Sequence, residues 1–169
     1  QQNVLNLIST DSSNGKSYLS QELENYWISI GLQVRRLTYD EDFLADDSRF
    51  IMSTSIKDLC PDILPDEIAI VEYPNLNDHS IPSSLLNMGT VNLMVTRANR
   101  TWKDIDQKAL KEVQSQLENQ DSLYMYLTES NRYAVEEFVG QLPPYTRFSN
   151  FVYRLSQLGL TATENNHAS

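Results

Sequence analysis

The segment Val4-Leu5-Asn6-Leu7-Ile8-Ser9-Thr10-Asp11-Ser12-Ser13-Asn14-Gly15-Lys16-Ser17 constrains this chain more than any other. An apolar run, a polar bend ending in Gly-Lys-Ser and a helix-forming stretch are the sequence form of a strand, a phosphate-binding loop and a helix. Such a loop holds a polyphosphate with converging backbone N–H groups and a helix N-terminus. A Lys serves the outer phosphates, and a hydroxyl can ligate Mg²⁺. Gly15, Lys16 and Ser17 provide the second half of that set, with Asn14 just before them. The first half departs from it: Thr10 stands where such a loop opens on Gly, and Asp11-Ser12-Ser13-Asn14 contains none. Asp11 also brings a carboxylate towards a polyanion. The segment reads as an imperfect P-loop, and the same residues also suit a plain turn and helix N-cap, with Ser12 or Asn14 capping.

Size and charge narrow the rest. At 169 residues the chain suits one domain, over residues 1–160, with a polar tail over 161–169. A formal net charge of -10 disfavours nucleic acid as a partner. The single cysteine, Cys60, cannot form an internal disulfide and is expected as a buried apolar residue, and His79 and His167 make no metal-ligand spacing. No apolar run of ~18 residues and no signal peptide is present, so the chain as given is expected neither to span a membrane nor to be exported. Its abrupt start on a strand suggests a segment of a longer polypeptide.

Periodicity gives the remaining elements. Leu19, Leu23, Tyr26, Trp27 and Ile30 recur at helical spacing and Gly31 stops that helix. A short strand within Leu32 to Tyr39 leads to Asp40-Glu41-Asp42, and a helical piece follows around Ser55 to Leu59. The run Ile68-Ala69-Ile70-Val71 is continuously apolar, as a central parallel strand should be, and is followed by Glu72-Tyr73-Pro74. A helix over Ser83 to Met88, a strand over Val91 to Thr96 and a helix over Trp102 to Leu117, with Ile105, Ala109, Val113 and Leu117 inward, come next. A strand over Leu123 to Leu127, a helix over Arg132 to Val139 and a last helix through Phe148, Phe151, Val152 and Leu155 complete the chain. The alternation predicts an α/β fold, a mostly parallel, doubly wound sheet flanked by helices. Ligands bind such sheets at the carboxyl ends of the strands, where Gly15-Lys16-Ser17, Asp40-x-Asp42 and Glu72-x-Pro74 are all expected.

The order of those three motifs resembles the SIMIBI branch of P-loop proteins. Within it, the chain is similar to the cytosolic domain of bacterial tyrosine kinases of polysaccharide co-polymerases. That family has a Walker A loop, an acidic Asp-x-Asp after the second strand, and a Walker B of apolar residues followed by Asp-x-Pro; here Glu72 takes the Asp position. Leu93 to Thr101 resembles the family's strand ending in Val-Arg-Ala-x-x-Thr, and Gln141 through Thr161 resembles capsular or exopolysaccharide biosynthesis proteins of Bacteroides-like bacteria. The resemblance implies ATP or ADP with Mg²⁺ as cofactors. It places Lys16 on the β- and γ-phosphates, Ser17 on Mg²⁺, Asp40 near the metal as base or orienting acid with Asp42 beside it, and Glu72 on a metal-bound water. Asn14, Gly15 and Arg97 would complete the nucleotide site. It also implies a homo-oligomer serving the polysaccharide assembly machinery at the cytoplasmic face of the inner membrane, joined to the membrane only through segments outside this chain. No Tyr follows Tyr153, so the family's C-terminal tyrosine cluster is missing. The expectation is a degenerate kinase-like module with weak or no nucleotide binding, and the alternative is a working ATPase or tyrosine autokinase.

Simpler readings stand beside these. Asp40 and Asp42 can form a solvated turn, and Glu72 can pair with a nearby Lys or Arg. Arg97, Arg100 and Lys103 can form a solvated or phosphate-facing edge. Trp27 and Trp102 suit packing or an interface.

Overall fold

Five strands, β1 (Val4–Ser9), β2 (Val34–Thr38), β3 (Ile68–Asn75), β4 (Val91–Arg97) and β5 (Leu123–Thr128), pair in the order β2-β3-β1-β4-β5. Every pairing is parallel. This computed structural model of the chain describes residues 2–130. The expected helices over Arg132 to Val139 and through Phe148 to Leu155, and the polar tail, lie outside the described residues. Among the described residues no helix is long and apolar enough to cross a membrane.

A parallel sheet needs cover on both faces, and the strands alternate accordingly. Leu5 and Leu7 of β1, Ile70 of β3 and Val95 of β4 pack with Leu19 of α1 (Lys16–Ser29) on one face. On the other, Val4, Ile8, Leu37, Ala69, Val71, Tyr73 and Met94 join a larger core. That core takes in Phe50 of α2 (Ser48–Ile51), Ile56 and Leu59 of α3 (Ile56–Leu59), Leu85 and Leu86 of α4 (Ser83–Met88) and Val113 of α5 (Asp104–Gln116). Cys60 belongs to this core as a buried thiol, as expected. Glu72 falls on the α1 face by the same alternation, one residue from Val71 and two from Ile70.

Two helices differ from their apolar patterns, and in both a buried polar residue is the reason. The inward stripe of α1 runs through Lys16, Leu19 and Ser20, all buried, with Leu23 and Trp27 partly buried beside it. Tyr26 and Ile30 are 60% and 56% exposed, because the helix turns its polar Lys16 and Ser20 towards the end of β3. In α5, Ala109 and Val113 are buried and Leu117 packs just beyond the last turn, but Ile105 is exposed. The inward position of the first turn belongs to Asp106, which accepts from Lys103 N at 2.9 Å and from Arg100. Gly31 takes a left-handed φ of 88° just past α1, the conformation that ends a helix without a Cβ clash.

A buried polar chain crosses the sheet beneath α4. Asn6 Nδ2 donates to Leu85 O at 3.0 Å and to Asn92 Oδ1 at 2.8 Å, and Asn92 Nδ2 donates to Ser122 Oγ at 3.1 Å. Gly89 closes over it. Its backbone, at φ -60° and ψ 118°, is open to any residue, but a Cβ there would meet Asn6 Nδ2 at 2.5 Å and Asn92 Oδ1 at 2.8 Å. Gly89→Ala must therefore displace a buried amide pair, and is expected to lower stability by about 2–4 kcal/mol. Urea unfolding of the two proteins measures this.

Candidate phosphate-loop site

The loop after β1 folds tightly. Asp11 Oδ1 accepts from Ser13 N at 2.9 Å and from Ser13 Oγ at 2.8 Å, capping a 3-10 turn over Ser12–Asn14. These bonds hold the Asp11 carboxyl below its ordinary range. Gly15, at φ 82°, reverses the chain into α1 in a conformation that favours glycine, and Thr128 Oγ1 donates to the neighbouring Asn14 carbonyl at 3.0 Å. Asn14 itself is fully buried, with neither side-chain atom hydrogen bonded. Thr10, where the pattern opens on Gly, is also buried, and its hydroxyl accepts from Arg100 Nη1 at 3.1 Å. Arg100 grips both oxygens of the buried Asp106, at 2.9 and 3.1 Å.

Lys16, Ser17 and Glu72 do meet. Lys16 is buried, and its ammonium donates to the Tyr73 carbonyl. That carbonyl lies where the β1–β3 register slips: Leu7 faces Glu72 but Ser9 faces Asn75. Pro74, which has no N–H to donate, sits in the slip. Burial pulls the Lys16 ammonium down to about 8, against the opposing pull of the Glu72 charge. Ser17 Oγ donates to Glu72 Oε2 at 2.8 Å and Ser20 Oγ donates to Glu72 Oε1. Arg36 Nη1 donates to Glu72 Oε1 at 3.2 Å while its Nε reaches Glu24 Oε2 at 3.0 Å. Glu72 is 2% exposed and enclosed by these two hydroxyls and one guanidinium.

The other expected site residues stand apart from this cluster. The residue of β2 registered against Glu72 is Thr38, and Asp40 lies two residues beyond, exposed and at a left-handed φ of 70°. Asp42 is exposed and its carboxylate accepts from Thr38 N at 2.7 Å, closing the turn after the strand. Among the described residues no hydrogen bond joins Asp40 or Asp42 to Lys16, Ser17 or Glu72. Arg97 is paired with Glu129 at 2.5 Å, and Asn99 shares that carboxylate at 2.8 Å. The basic patch of Arg97 and Arg100 is thus neutralised by Glu129 and Asp106.

These residues do not fit a magnesium-bound nucleotide in the arrangement they hold. Mg²⁺ takes one or two carboxylate oxygens and needs them free, but both oxygens of Glu72 are engaged and a cation already lies against one. Phosphates need loop amides, but the Asp11 carboxylate holds that of Ser13. Among the described residues no group of three or more His, Cys, Asp and Glu side chains could hold a metal ion. Ser20 and Arg36 are partners of Glu72 that no sequence motif points to, although a pair between Glu72 and a basic residue is one of the simpler readings of the sequence. Their signal was weak: a Ser one turn on from Lys16, and an Arg inside an otherwise β-prone run.

The class these features define is an all-parallel α/β domain with a strand, loop and helix of P-loop type at the carboxyl edge of its sheet. The chain matches no protein-family model and no curated protein.

The displaced Lys16 ammonium gives a pH signature. Between about 8 and its ordinary 10.5 the unfolded chain keeps a proton that the folded protein has released. Stability relative to a Lys16→Met variant should therefore be flat below pH 7 and rise on going from pH 8 to pH 10. Paired denaturant titrations at pH 7, 8.5 and 10 measure that difference, and a fall with rising pH would show the ammonium to be favoured by the fold.

Proposed function

We propose that this chain is a degenerate, kinase-like P-loop module of a capsule or exopolysaccharide assembly protein, binding nucleotide weakly or not at all. In this reading it regulates the membrane machinery from the cytoplasmic face by assembling with copies of itself. The observation that carries it is the saturation of Glu72 by Ser17, Ser20 and Arg36. A nucleotide-bound metal would have to break buried, charge-assisted hydrogen bonds before gaining any of its own. The Gly-poor loop, capped from within by Asp11, supports the same conclusion. The polysaccharide setting is supported by the resemblance of Leu93 to Thr101 and of Gln141 to Thr161.

Calorimetric titration with ATP and Mg²⁺ tests the reading. The expected dissociation constant is micromolar or weaker, equivalent to roughly 8 kcal/mol or less, and Lys16→Ala should remove whatever binding is present. Nanomolar affinity would overturn it.

A working ATPase or tyrosine autokinase is the second reading, and one observation favours it. The buried Asn14 amide, unpartnered beside Gly15, is the kind of group that a bound ligand satisfies. Intact-mass spectrometry after incubation with ATP and Mg²⁺ should show no phosphate adduct. An adduct on Tyr145 or Tyr153 that Lys16→Ala abolishes would establish the autokinase instead.

A further inference from the structure

Within the loop, Asn14 is the buried polar side chain that no protein group satisfies: it is 0% exposed, and neither Oδ1 nor Nδ2 is hydrogen bonded. Burying an amide without partners disfavours the conformation that does so. The loop must therefore be held against that cost, and two ties from outside it do this. At its opening end, Arg100 Nη1 donates to Thr10 Oγ1 at 3.1 Å, and Arg100 is itself fixed by both oxygens of the buried Asp106. At its closing end, Thr128 Oγ1 lies 3.0 Å from Asn14 O and 3.3 Å from Thr96 O. The Thr128 methyl also lies 3.4 Å from where a Cβ on Gly15 would stand. Arg100 follows β4 and Thr128 ends β5, so both ties reach the loop from the same side of the sheet. The Asp11 cap on Ser13, by contrast, is internal to the loop and moves with it.

We propose that the loop is a latch with two states. In the closed state, Thr10 and Asn14 are pinned to Arg100 and Thr128, and the Asn14 amide is buried unpaired. In the open state both ties are released and the amide reaches water, with Gly15, at its left-handed φ of 82°, as the pivot into α1. The latch is autoinhibitory, because a ligand that needs the open loop binds with an affinity reduced by the fraction of molecules that are open. That inhibitory role rests on the proposed reading of the loop as a degenerate nucleotide loop; the two states themselves do not.

Amide hydrogen exchange of the full chain, followed by NMR at Ser13 and Gly15 and corrected for intrinsic rates, measures opening with no ligand present. Thr10→Val and Thr128→Val keep the side-chain shape and remove one tie each. Each should speed exchange at these amides about fivefold, the effect of one ordinary hydrogen bond, and leave the amides of β1 and β3 unchanged. Asn14→Leu keeps the branching and removes the unpaired polar atoms, so it should slow loop exchange about fivefold or more. Loop exchange that neither Val substitution moves, or that Asn14→Leu speeds, would overturn the latch. So would faster exchange spread evenly over β1 and β3, which marks general destabilisation. If Thr10→Val, close to the buried Asp106, does not fold, Thr128→Val and Asn14→Leu decide the matter. Titration of the Val variants with ATP and Mg²⁺ tests the inhibitory role separately, and affinity should rise by the same factor as opening. Faster exchange without tighter binding would leave the latch standing and overturn its inhibitory role. Nanomolar ATP binding by the unaltered protein would sink the degenerate-loop reading, while the exchange rates still decide the latch.

Discussion

The buried carboxylate of Glu72 is the interaction on which the loop end of this domain depends. Placing that charge away from water costs several kcal/mol unless donors surround it. The donors come from three parts of the chain: Ser17 and Ser20 from α1, and Arg36 from β2. Meeting that requirement rotates α1, so that Ser20 and Lys16 point inward and Tyr26 moves to the margin. It also determines what the site can offer a ligand, because a carboxylate with both oxygens engaged has little left for a metal ion.

A second set of ties holds the loop from its other side. Thr10 is joined through Arg100 to Asp106, a fully buried acid in the first turn of α5, and Thr128 of β5 reaches the Asn14 carbonyl. Together with the Asp11 cap, these bonds anchor both ends of the loop to neighbouring strands and helices. Loops that close around phosphate rely on glycines for the backbone freedom to converge their amides. Here one glycine, Gly15, makes the reversal into α1, and side chains hold what precedes it. A ligand that needed another loop conformation would have to be favoured by the whole difference in energy between the two states.

The functional reading thus grows from satisfied groups. Lys16, Ser17 and an acid on β3 share one edge of the sheet, as in a nucleotide site, yet each is bonded to the protein itself. The acids after β2 lie outside this cluster: Asp42 closes its own turn, and the strand position beside Glu72 is Thr38.

Much of this was legible in the sequence. Element order, the central apolar strand of Ile68 to Val71, the Gly31 stop, the helix over Ser83 to Met88 and the parallel α/β class follow from local pattern, because burial on a sheet face and helix termination are set by neighbours a few residues away. The positions of Lys16 and Ser17 after β1 follow from the same pattern, but Glu72, expected just past its strand, lies within β3, which runs on to Asn75. Which partners those side chains take was decided only by the tertiary structure. Arg36 lies 36 residues from Glu72, Arg100 lies 90 from Thr10 and Thr128 lies 114 from Asn14. No local pattern records such pairings; they arise because the strand order β2-β3-β1-β4-β5 brings distant residues to one edge, where buried charge must find a counter-charge. The sequence by itself determined a strand, a polar loop and a helix of P-loop pattern, and the fold decided that Lys16 and Ser17 at its end are bonded from within.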